Sequence, residues 1–190
     1  MYKLIAVTDR ALCEDDFVKR VKIIAECGVD VILRAKDMDE DSYRELLLLT
    51  GSEHIIPHYF AAPAKELGYG RIHLPLHKLI EQPDLSSRFD VSVSVHSLRQ
   101  LRAAEKLGAA AVIAGHVFDT GCKSGIPGRG LNFIKKIKEN SSIPVYAIGG
   151  ISPENAARVI EAGADGVCVM SGFMRCGDIP EYIRRFKQDL

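Results

Sequence analysis

One pattern recurs four times along the 190 residues: an amphipathic segment, a glycine, then a short run rich in β-branched residues. The copies read AECGVDVIL, KELGYGRIHL, EKLGAAAVIAG and EAGADGVCVM, with their glycines at Gly28, Gly68, Gly108 and Gly163. Each copy reads as a helix stopped by a glycine in the left-handed region, followed by a buried strand. Further strand candidates lie between them: LIAVT (4–8), HIIP (54–57), VSVSV (91–95) and PVYAIG (144–149). Eight short apolar strands alternating with helices imply parallel pairing with both sheet faces covered. The expected architecture is α/β, a lean single (β/α)8 TIM barrel spanning residues 1–190 as one domain. An open doubly wound sheet competes. It is disfavoured by the even run of eight units and by the stretch AVTDRAL after the first strand, which lacks a GxGxxG fingerprint.

Charge and composition remove several function classes. Lys plus Arg number 25 and Asp plus Glu number 25, so no net basic field draws nucleic acid or anionic lipid. No apolar run approaches the ~20 residues that span a bilayer, and the N-terminus lacks the layout of a signal peptide. The expectation is a cytoplasmic protein with no nucleic-acid or membrane partner. The five cysteines, Cys13, Cys27, Cys122, Cys168 and Cys176, show no CxxC or CxxH spacing, which argues against a disulfide framework or a zinc site.

Active sites of such barrels lie at the C-terminal ends of the strands. That rule predicts a rim of Thr8, Asp9 and Arg10, then Arg34 and Lys36, then His58, His73 or His77, His96, His116, the pair Gly149-Gly150, and the pair Ser171-Gly172. Five of six histidines fall at or just past a strand end, which favours a functional cavity. Bare main-chain N–H groups after the seventh and eighth strands are the recurring phosphate cradle of the fold. The alternative is that the glycine pair only turns the chain. Arg34 and Lys36 are read as holders of a second anion such as a carboxylate, or as salt-bridge partners of Asp9 or Asp37. The glycine-rich loop GHVFDTGCKSGIPGRG (115–130) reads as a lid able to place Lys123 or Arg129 over a substrate. Beneath it, His116 is the candidate proton shuttle, since an imidazole titrates near neutral pH.

The stretches LIAVTDR, VSVSVHS, GHVFDTGCKSGIPGRGL and PVYAIGGISPENAARVIEAGADGVCVMSG resemble the thiamine phosphate synthase superfamily, in order and over nearly the whole chain. In one branch the resemblance implies a synthase that joins a pyrimidine diphosphate to a thiazole phosphate using magnesium held by aspartates after the third and fourth strands. Here those stretches read PHYF and HLPLHKL, with neither aspartate. The other branch is the TenI-like thiazole tautomerases, which resemble this chain in SVHS and in the loop that begins GHVFDT. That branch implies His116 as acid–base residue in the aromatisation of a carboxylated dihydrothiazole phosphate. It further implies a phosphate on Gly149, Gly150, Ser171 and Gly172, a carboxylate near Arg34, Lys36 or Lys123, and His96 at the same site. No metal or organic cofactor is implied, and fold analogy alone suggests a homodimer. The expectation drawn is therefore a thiazole tautomerase, with thiamine phosphate synthase, or a non-catalytic thiazole phosphate-binding regulator, as the alternatives.

Overall fold

The computed structural model describes residues 2–121 and 125–188. Among the described residues there are eight strands: β1 Lys3–Val7, β2 Asp30–Leu33, β3 Ile55–Pro57, β4 Arg71–Pro75, β5 Asp90–Val95, β6 Ala111–Gly115, β7 Val145–Ile148 and β8 Gly166–Val169. Between and after them run the helices α1 Phe17–Glu26, α2 Glu40–Thr50, α3 Ala61–Glu66, α4 Leu76–Glu81, α5 Leu98–Lys106, α6 Leu131–Glu139, α7 Pro153–Glu161, α8 Ser171–Arg175 and α9 Ile179–Gln188. Every strand pair is parallel, in the order β3-β2-β1-β8-β7-β6-β5-β4. The seam between β3 and β4 is joined by a single bridge, His58 to His73, with the Tyr59 N–H donating to the His73 carbonyl at 3.1 Å. The sheet thus closes into a (β/α)8 barrel.

The repeat glycines end their helices in the way the pattern predicts. All four have positive φ, from 75° to 101°. At each, the glycine N–H and the next N–H fold back onto the last helical turn. At Gly28 these bonds run to Ala25 (2.9 Å) and from Val29 to Ile24 (3.4 Å). Two otherwise unpaired carbonyls per helix are satisfied this way, and the chain is aimed back at the sheet. The opposite ends of several helices carry side-chain caps, with Asp16, Asp39 and Ser97 accepting from Lys19, Ser42 and Gln100.

Alternation along the strands sorts the core into two layers. Val91, Val93, Val95, Ile72 and Leu74 face outward into the shell under the helices. Ile5, Val7, Ile32, Ile56, Ile113 and Cys168 fill the lumen. Lumen positions on β4 and β5 are polar instead, occupied by His73, Ser92 and Ser94. His73, one of the two rim candidates for the fourth strand, therefore sits mid-strand inside the barrel. Its Nδ1 lies 2.9 Å from Ser92 Oγ and its Nε2 3.0 Å from Ser94 Oγ. Among the described residues no helix is long and apolar enough to cross a membrane.

Candidate active site

The ends of β6, β7 and β8 enclose a cavity of about 120 Å³, bounded by His96, His116, Thr120, Gly149, Gly150 and Ser171, among others. That is small beside the ~300–1,000 Å³ of pockets that hold whole ligands, so it suits one end of a substrate. His116 follows the last residue of β6 and is only 4% exposed. Its Nε2 lies 3.0 Å from the Pro127 carbonyl and 3.2 Å from that of Ile126. A carbonyl only accepts, so Nε2 carries a hydrogen, and in the neutral form of the ring the lone pair is on Nδ1. Nδ1 is buried and has no partner among the described residues. An orphaned buried acceptor is unfavourable, and a ligand that donates to it would relieve the penalty.

His96 is tied down from the other side. Its Nδ1 donates to the Gly115 carbonyl at 2.7 Å, and its main-chain N–H donates to Gln100 Oε1 at 2.6 Å. The base of the loop after β6 is laced to its neighbours. The N–H groups of Val117 and Phe118 donate to Ile148 and Gly149, those of Arg129 and Gly130 donate to His116 and Val117, and that of Gly128 reaches Asp119 Oδ1 at 2.6 Å. The Arg129 guanidinium lies over the Phe133 ring, 5.3 Å from its centroid, on the α6 side. Lys123, the other loop cation expected over the substrate, lies outside the described residues, as does Cys122.

Gly149 and Gly150 have φ of 111° and 64°. A Cβ on Gly149 would run into His116, and one on Gly150 would lie 2.6 Å from the Asp119 carbonyl oxygen and 2.8 Å from Phe118 Cβ. These glycines are thus required by the loop that packs on them, a reason that neither sequence reading of the pair contained. Among the described residues the N–H groups of Gly149 and Gly150 have no protein acceptor, and both residues line the cavity together with Ser171. Gly172 lies next to Ser171, with its Cα directly beneath the Tyr182 hydroxyl.

The second basic patch is separate. Arg34 Nη1 pairs with Asp9 Oδ2 at 2.7 Å, and Arg10 pairs with Asp37 at 3.1 Å. The Thr8 hydroxyl pins the Arg34 main chain, donating to its carbonyl at 2.8 Å and accepting from its N–H at 2.7 Å. Lys36 is exposed and lines a different pocket over β2–β4, together with His58 and His77. His58 is 6% exposed, and its ring stacks 5.8 Å from that of His73. Burial, followed by the neighbouring His73, Arg34 and Lys36, holds the His58 pKa down to about 3. Burial alone takes His73 down to about 4. Both rings are neutral at physiological pH.

Magnesium, which the synthase resemblance implies, requires oxygen ligands in near-octahedral array. The mouth over β3 and β4 offers imidazoles, and its nearest carboxylates, Asp9 and Asp37, are engaged by arginines. Among the described residues no group of three or more His, Cys, Asp or Glu converges as a metal site. These residues do not fit the ion.

A parallel (β/α)8 barrel with a buried imidazole and glycine turns at the C-terminal mouth belongs to the class of barrel enzymes that build their sites from the loops after the strands. Residues 61–173 match the family model described as thiamine monophosphate synthase, and the chain belongs to that family. A thiamine-phosphate synthase of Clostridium acetobutylicum is 35% identical, over 96% of this chain and 92% of the relative. One from Syntrophomonas wolfei is 29% identical, over 98% of this chain and 95% of the relative. The solved structure of a thiamine phosphate pyrophosphorylase from Pyrococcus furiosus superposes with a TM-score of 0.81 at 28% identity, covering 98% of this chain and 94% of that one. These relatives overturn the expectation of a thiazole tautomerase. Full-length similarity runs to synthases, and the GHVFDT loop that suggested an isomerase does not separate the two. A histidine at that position sets a hydrogen-bonding group in the mouth without fixing which reaction it serves.

Proposed function

We propose that the protein is a transferase of the thiamine-phosphate synthase type, joining a pyrimidine-methyl diphosphate to a thiazole phosphate. The methylene carbon–oxygen bond to diphosphate breaks, and the diphosphate leaves with the bonding electrons. The thiazole nitrogen lone pair forms the new carbon–nitrogen bond. No net proton transfer is needed. Gly149, Gly150, Ser171 and Gly172 hold the thiazole phosphate at its phosphate, through main-chain N–H groups and the Ser171 hydroxyl. His116 is the central catalytic residue: its Nδ1 contacts the bound molecule and orients it, with His96 bracing the same wall. Lys36, beside the Arg34–Asp9 ion pair, supplies positive charge for the anionic end of the second substrate. The neutral ring of His73 does not repel a methylene carbon that is gaining positive charge.

The unpartnered, buried Nδ1 of His116, a residue that lines the recess beside the glycine turns, is the observation that carries this reading, and the full-length similarity to synthases supports it. The test mixes the full chain with both substrates and follows thiamine phosphate by chromatography. Product forms with the wild-type protein, and His116→Ala lowers turnover by about 10²-fold with its thermal midpoint little changed. Absence of product with enzyme in excess over substrate would refute the proposal. Binding of the thiazole phosphate with no coupling would identify a non-catalytic binder instead.

A further inference from the structure

The pocket over β2–β4 has a composition that the recess at β6–β8 does not explain. Its cavity of about 420 Å³ is walled by Lys36, His58, Tyr59 and His77, with Met38 and Phe60 as apolar floor, and among the described residues no carboxylate lines it. Its neighbouring charges are settled: Asp9 neutralises Arg34, and Lys78 is held by Glu81 at 3.0 Å while lying 5.0 Å from the Tyr59 ring centroid. Among the described residues Lys36 has no carboxylate partner. Tyr59 forms one wall in a left-handed conformation (φ 73°), rare and strained for a residue with a side chain. Such strain collects where a side chain must be presented in one place.

We propose that this pocket binds a phosphate or diphosphate anion without a divalent cation, Lys36, His58 and His77 supplying the charge and hydrogen bonds that a metal would otherwise supply. The proposal rests on the reading of the barrel mouth as a site for phosphorylated substrates. It follows from the misfit between these donors and magnesium. Imidazole and ammonium groups are poor partners for a hard cation and good ones for an anion. The groups facing His58 are His73 from β4, Arg34 and Lys36 beyond β2, and Tyr59 beside it in the chain, with His77 across the pocket. All are neutral or positive. Protonation of His58 is therefore opposed in the empty pocket and favoured once an anion enters, so binding takes up a proton.

The experiment is calorimetric titration of the full chain with inorganic pyrophosphate at pH 7, in excess EDTA and again in magnesium, in two buffers of different ionisation enthalpy. The affinity in EDTA is expected within about twofold of that in magnesium, with net proton uptake. His58→Gln and Lys36→Met are each expected to weaken binding at least fivefold, and the proton uptake disappears in the former. Lys36 is exposed, so its replacement leaves the fold intact even if a variant at buried His58 does not fold. Binding that appears only with magnesium, no binding in either buffer, or binding indifferent to Lys36→Met would overturn the proposal. Pyrophosphate binding is read without turnover, so failure of the coupling assay alone would leave this result standing.

Discussion

Two buried imidazoles, 43 residues apart in the chain, are distinguished by their hydrogen bonds. His73 spends both ring nitrogens on Ser92 and Ser94 inside the lumen, whereas His116, which lines the recess, spends one and leaves the other buried without a partner among the described residues. The first is satisfied within the barrel and the second is not, and the sequence does not separate them. Both precede or sit in apolar runs. Only the inward side of β4 and the serines opposite it reveal that His73 is satisfied. The depressed pKa values have a consequence for acid stability. The folded pKa of His58 is about 3 and that of His73 about 4, against an ordinary value of 6.5. Between those limits the unfolded chain binds more protons, so stability falls as pH drops from about 6.5. Asp30, bound by Lys3, Arg71 and His54, has its pKa held at about 2 despite its burial. Its stabilisation is complete above the ordinary carboxylate value of 3.8 and is lost as pH falls toward 2. Urea unfolding at pH 6.5 and 4.5 is expected to show a loss on the order of 2 kcal/mol per buried histidine. The His58→Gln/His73→Gln double variant is expected to flatten that slope. An unchanged slope would contradict the burial of these rings.

At the scale of elements, the helix ends were the most legible part of the sequence. A glycine followed by an apolar residue closes four helices with the same pair of back-folded hydrogen bonds, and the strand follows at once. The contact that fixes β2 and β3 together was not legible. Tyr43, fully buried on α2, accepts from the His58 N–H at 2.7 Å and donates to the Leu33 carbonyl at 2.6 Å. No local pattern announces it, because its partners are main-chain groups on two distant strands. Tyr43→Phe removes one hydroxyl and strands two buried main-chain groups, so a loss of about 2 kcal/mol is expected from denaturant titration. A loss under about 0.5 kcal/mol would mean that the hydroxyl is dispensable at the strand junction. The glycine turn after β7 carries a related lesson. Its glycines were legible as a cradle or a turn, yet a Cβ at either position would strike the loop that carries His116. The proposed phosphate seat and the loop packing share the same two residues.

For the whole molecule, eightfold alternation in the sequence sufficed to predict the closed barrel, because parallel strands separated by helices have few ways to cover both faces of a sheet. The weakness of one seam was not predictable from it. β3 is three residues long and meets β4 through one bridge, while β4 and β5 pair over five residues. Hydrogen exchange is expected to release the Tyr59 amide well before those of Val93 and Val112, which lie in the continuous ladder. Equal protection would mean that the seam is as strong as the rest. The function proposed for the barrel mouth depends on where the thiazole phosphate is held. A crystal of the protein soaked with thiazole phosphate tests this most directly. The phosphate is predicted within hydrogen-bond reach of Gly150 and Ser171, with His116 Nδ1 in contact with the ligand. Density for the phosphate elsewhere on the barrel, with this recess empty, would contradict it.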